Sequence, residues 1–263
     1  MESYNHDMRG YLVGREPDKE LQDLLKKNLN AIPVDRHPDA MLNELLDRAE
    51  NEEFGNRKPV RMKQRQAKRI IDRVNEGLRR RYGKYANICN YRVRNGVLGF
   101  TPNITHVYRS PGGQIFGNFS GRFSRVFFTS HSIERFEERT SPGVLDSMRE
   151  FHRKGAGVEP TALDLLRYGF RFGVHHGVEF ARDKVSKDSD LYVNLGHGSL
   201  VFNRFETIFV ARTFLSAEMM KVKMGLEWFA SDFDKIKEED PFDSFVDNCY
   251  PINGPCVYDV TEE

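Results

Sequence analysis

Cysteine is scarce in this chain. The three residues, Cys89, Cys249 and Cys256, are odd in number and widely spaced, with no C-x-x-C pair and no histidine at zinc-finger spacing. That usage argues against a disulfide framework or a zinc site and fits reduced thiols in a cytoplasmic protein. Long apolar runs are missing too. No window approaches the roughly 20 consecutive apolar residues of a membrane-spanning helix, and Met1 to Gly14 lacks the apolar core of a secretory signal. No membrane partner is expected. The glycine-rich stretch from Gly112 to Gly121 has neither G-x-x-x-x-G-K-[ST] nor G-x-G-x-x-G spacing, so no phosphate cradle for a nucleotide cofactor is expected. Nucleophile-elbow and H-E-x-x-H signatures are absent as well, and no cofactor or metal is anticipated.

Charge of one sign is what the middle of the chain has in excess. Residues 1–56 carry 7 basic against 13 acidic residues and residues 217–263 carry 4 against 12, so a formal net charge of +1 hides +15 over residues 57–216. Such an excess draws polyanions and is the usual footprint of a nucleic-acid partner, here RNA. Internal neutralisation by the acidic ends explains the same pattern, and both can hold together.

Apolar spacing predicts amphipathic helices over 18–30 and 38–53, and a longer one over 60–82 with Ile70, Ile71, Val74 and Leu78 on one stripe. Its other faces carry Arg65, Arg69, Arg73 and Arg80 among further cations, either a solvated face or one that tracks phosphates. From Asn90 the period shifts to strands. Tyr91–Arg94 and Val97–Phe100 flank Asn95-Gly96, the strongest two-residue hairpin signal. Further strands are expected at 104–108, 114–119 and 123–129, helices at 130–139, 144–152 and 161–168, and strands at 170–174, 178–181, 191–195, 199–203 and 206–214. The expected fold class is α+β: an antiparallel β-sheet packed on helices, with an N-terminal helical arm and a C-terminal helix plus acidic tail. The corresponding organisation is a helical region 1–89, a core domain 90–216 and a tail 217–263.

One segment groups residues fit for chemistry. In a helix, His131, Arg135 and Arg139 fall at i, i+4 and i+8 and share a face. An imidazole moves protons near neutral pH, and guanidinium forks hold phosphate oxygens. Ion pairs with Glu134, Glu137 or Glu138 are the plainer account of the two arginines. His175, in a turn between strand-like runs, and His197, between two glycines, are further site candidates or simply polar turn residues.

The order of elements over about 123–216, with Ser130-His131-Ser132-Ile133-Glu134-Arg135-Phe136-Glu137-Glu138-Arg139 opening the helix and Ile208 to Phe214 closing the sheet, resembles the RelE/BrnT-like ribonuclease toxins. That resemblance implies metal-independent cleavage of RNA by attack of the ribose 2′-hydroxyl on the adjacent phosphate. His131 would then stand at the proton-transfer position, Arg135 and Arg139 at phosphate contacts and Arg212 as the site cation, with a protein inhibitor or antitoxin as a possible partner. Arg65, Arg69, Arg73, Arg80, His175 and His197 are the expected substrate contacts. Period-2 alternation puts Arg212 on the face of Ile208, Val210 and Phe214, so it sits at the end of that face or in a buried ion pair. The alternative function is a non-catalytic module binding nucleic acid or protein, of the kind found in regulators and phage-encoded host-interaction proteins.

Overall fold

The structure, a computed structural model, describes residues 19–35, 38–55, 61–103, 106–117, 126–170, 191–195, 197–206 and 208–219. It is an α+β fold in two units interleaved along the chain, one comprising Met1–Phe119 and Asp146–Asp164, the other Ser120–Leu145 and Leu165–Glu263. The expected division at residue 90 falls inside a strand of the first unit.

In the first unit, α1 (Lys19–Leu29), α2 (Pro38–Phe54) and α3 (Gln64–Tyr82) form where the apolar spacing placed helices. The α3 stripe of Ala67, Ile70, Ile71, Val74 and Leu78 is buried. α2 and α3 approach closely at Gly77, where a β-carbon would fall 2.6 Å from the Leu45 side chain. Strands β1 (Ile32–Pro33), β4 (Val107–Ser110) and β5 (Gly113–Gly117) pair antiparallel in that order. β2 (Ile88–Arg94) and β3 (Val97–Pro102) make a separate two-stranded ribbon. Its turn residues Asn95 and Gly96 both have positive φ, 52° and 83°, as a type I′ turn requires.

Buried asparagines tie the unit together. Asn103 accepts from the Asn87 N–H at 2.9 Å and donates to the Tyr85 carbonyl at 2.7 Å and the Thr161 hydroxyl at 3.3 Å, while Asn75 accepts from the Ile88 N–H at 2.6 Å. Backbone groups that leave a ladder inside a core need such partners. Thr161 and Asp164 then open the helix over 162–170, the Asp164 carboxylate accepting from the Thr161 N–H at 2.7 Å. Phe170, where a strand was expected to start, is helical.

The second unit holds β6 (Val126–Thr129), β9 (Ile208–Ser216), β8 (Gly198–Phe205) and β7 (Leu191–Asn194), adjacent in that order. β7–β8 and β8–β9 are antiparallel, as expected, but β6 and β9 run parallel, with Phe128 opposite Ala211. The helix α4 (Ser130–Arg139) leads the chain back for that crossover. Phe128 meets Phe170 and Phe202 edge to face and those two rings are tilted at 51°, with centroids 5.5–6.2 Å apart, and Phe136 of α4 meets Phe214 at 5.4 Å. The helix α5 (Pro142–Ala156) follows α4. None of the described helices is long and apolar enough to cross a membrane. The expected strands over 170–174 and 178–181, beyond Phe170, and the C-terminal helix and tail past Met219 lie outside the described residues, as do Cys249 and Cys256. Cys89 is a thiol whose Sγ lies 3.3 Å from the Thr101 carbonyl oxygen.

Candidate functional site

The strand end before α4 builds a firm helix start. Thr129 is the N-cap: its hydroxyl accepts from the Ser132 N–H at 3.1 Å and donates to the Ala211 carbonyl of β9 at 2.8 Å. Ser132 donates to the Thr129 carbonyl at 2.8 Å. The cap therefore fixes the first turn, carrying exposed His131, against the strand that carries Arg212.

The helix forms as the spacing predicts, yet its two arginines are engaged elsewhere. Arg135 pairs with Glu138 at 2.6 Å. Arg139 donates from Nη1 to the Phe214 carbonyl, fastening the last turn of α4 to β9. Rise along a helix separates the α-carbons of His131 and Arg139 by about 12 Å. His131, Arg135 and Arg139 thus follow one another along the helix, with each arginine bonded to a neighbour.

Arg212 is neither in the core nor in a buried ion pair. The register of β8 on β9 shifts between Val201, which faces Thr213, and Phe202, which faces Ala211, so Arg212 is the extra residue of a β-bulge. A bulge resets the alternation and re-aims its side chain. Arg212 is thereby exposed, its Nη1 3.3 Å from the Asn203 side-chain oxygen, while Phe214 stays fully buried.

His197 belongs to the core side of α4. Its ring lies 5.8 Å from Phe136 and 5.6 Å from Phe214, and its Nε2 is buried without a hydrogen-bond partner among the described residues. Burial pushes the imidazole down to about 4, against the opposing pull of a bond with the Leu195 backbone. It is uncharged at neutral pH and packs against Phe136 and Phe214. His175 lies outside the described residues. Among the described residues no three His, Cys, Asp or Glu are placed to hold a metal.

In the first unit, most cations of α3 are paired. Arg69 and Arg73 both clamp Glu53 at the end of α2, with Arg73 at 3.1 Å, and Arg73 also reaches Glu52 at 3.4 Å. The Arg69 guanidinium, aided by Arg73, holds the Glu53 carboxyl down at about 2. Arg80 pairs with Glu76, Arg81 with Asp35, and Lys68 with Asp72 at 2.9 Å. Of the four expected contacts on this helix, only Arg65 forms no ion pair among the described residues.

Arg65 has company that the helical pattern did not reveal. The Met62 N–H donates to the Gly96 carbonyl at 2.8 Å, and a β-carbon on Gly96 would sit 2.7 Å from that of Arg61. The chain entering α3 is therefore seated on the β2–β3 turn. Arg61, Lys63, Arg65 and Arg94 are all exposed there, and none forms an ion pair among the described residues. The sequence signal for this patch is a long stretch without carboxylates: no Asp or Glu occurs between Glu76 and Glu134.

No family model, no curated protein and no solved structure matches the chain.

Proposed function

We propose that this chain is a nucleic-acid-binding module that grips the phosphate backbone through the basic surface of its first unit. The observation that carries this reading is the gathering of Arg61, Lys63, Arg65 and Arg94 about the β2–β3 turn, with no carboxylate paired to them among the described residues. Paired surface cations contribute little field, whereas unpaired ones neutralise phosphates and release the counterions condensed on a nucleic acid. The RNA cleavage implied by the toxin-like motif is less well supported. Arg135 and Arg139 are held by Glu138 and by the Phe214 carbonyl, and the His197 imidazole packs against Phe136 and Phe214.

The test is fluorescence anisotropy of labelled single-stranded and duplex probes over a salt series in EDTA, with gel analysis of the RNA afterwards. Four phosphate contacts give a slope of log affinity against log salt of about −3 to −4. Reversing the four cations to Glu should flatten it. A salt-insensitive interaction sinks the proposal. RNA cut by the wild type and spared by His131→Ala would move the function to the ribonuclease reading.

A further inference from the structure

The β2–β3 ribbon is built differently from every other pair of strands among the described residues. It forms a sheet of its own, and its two faces have different chemistry. Pairing sets Tyr91 opposite Phe100 and Val93 opposite Leu98 on one face, and Arg92 opposite Gly99 and Arg94 opposite Val97 on the other. The Tyr91 face is covered. Tyr91 bonds with the Gln64 side chain of α3, and a β-carbon on Gly157, at the end of α5, would sit 3.7 Å from its ring. A two-stranded ribbon is marginal by itself in water, and this packing supports it from behind.

The opposite face is polar and reaches solvent at its tip. Arg94 and Asn95 are exposed, Arg92 and Val97 are half-exposed, and Gly99 places no side chain beside Arg92. The loop is only Asn95-Gly96, with the segment entering α3 seated against Gly96. At roughly 3.3 Å per residue the ribbon runs about 20 Å, and its strands lie about 4.8 Å apart. That cross-section fits the B-form major groove, about 12 Å wide, which admits a β-ribbon. The deep, narrow major groove of A-form RNA does not.

Building on the nucleic-acid reading above, we propose that the β2–β3 ribbon enters the major groove of duplex DNA. Arg94 faces the base edges, with Arg61, Lys63 and Arg65 on the bordering phosphates. Guanidinium forks match guanine O6 and N7, and the Val97 side chain beside Arg94 offers apolar contact to a thymine methyl. Positioning and reading are thus divided between α3's entry segment and the ribbon, as base specificity requires.

The full chain would be titrated against duplex DNA, duplex RNA and single strands of one sequence, and then used to select sites from a randomised duplex pool. Duplex DNA should bind at least about tenfold tighter than duplex RNA, and selected sites should contain a fixed guanine. Arg94→Ala, at an exposed position that folding does not need, should lose discrimination at that base by roughly 5- to 150-fold. Lys63→Ala should weaken all sequences alike and reduce the salt slope by about 1. Equal binding of duplex DNA and RNA, a preference for single strands, or a uniform loss in Arg94→Ala would overturn the groove-reading role while leaving backbone binding intact. Loss of salt-dependent binding to every probe would instead remove the function proposed above.

Discussion

Replacing His197 with phenylalanine should remove a specific acid sensitivity from the second unit. In the folded protein this imidazole sits between Phe136 and Phe214 with its Nε2 buried, and burial lowers it from 6.5 to about 4. The unfolded chain titrates near 6.5. Between those values the unfolded state binds a proton that the folded state refuses, so stability falls as pH drops through that window and levels off below about 4. The linkage predicts a loss of roughly 2 kcal/mol between pH 7.5 and pH 5 from this one group. His152, fully buried in the first unit and pushed down by its own desolvation, adds a loss of the same sign. The wild type alone therefore does not isolate the effect; the difference between wild type and variant does. Urea denaturation followed by circular dichroism at the two pH values, for wild type, His197→Phe and His197→Gln, gives that difference. Both variants should show a pH dependence about 2 kcal/mol shallower, whatever their stability at pH 7.5. If all three lose stability in parallel, His197 is protonated in the folded state and its placement under α4 is wrong.

Gly198→Ala should cost at least about 2 kcal/mol, because the added β-carbon would strike the Phe214 ring and the Leu215 backbone carbonyl; thermal melts of the variant check it. Asn103→Ala should cost about 3 kcal/mol by stripping the buried Asn87 N–H of its partner and the Tyr85 carbonyl of one of two donors, again read by denaturation. Glu53→Gln should leave a protein whose stability responds less to acid. The depressed carboxyl contributes above its unfolded value near 4.5 and is lost as pH falls toward 2, so the wild-type denaturation midpoint should fall more steeply than the variant's across that range.

Local chemistry was readable from the sequence wherever it alone decides the outcome. Asn95-Gly96 announced the hairpin because both positions tolerate positive φ, and the stripe from Ile70 to Leu78 announced α3. Long-range pairing was not readable. Nothing near Val126 or Ile208 reveals that β6 and β9 run parallel, since the registry is decided by residues 80 positions apart. Arg212 illustrates the limit of period-2 reasoning: one extra residue in β9 reverses the face on which every later side chain falls. The α4 stripe of His131, Arg135 and Arg139 was predicted correctly as geometry. Whether an aligned arginine remains available depends on partners such as the Phe214 carbonyl, which spacing does not show. The same holds for Arg69 and Arg73, whose partner Glu53 ends a different helix.

The asparagine ties of the first unit bear on how the protein is made. Tyr85, Asn87 and Asn103 come off the ribosome well before Thr161 and Glu159, the last groups to join their hydrogen-bond set. Between them lies the chain that founds the second unit. The first unit therefore cannot close its interior vectorially; it must wait, partly wetted, until residue 164 has cleared the exit tunnel. A fragment ending at residue 119 would be a chain arrested at that waiting stage rather than a smaller folded protein, prone to the self-association of any incompletely closed core.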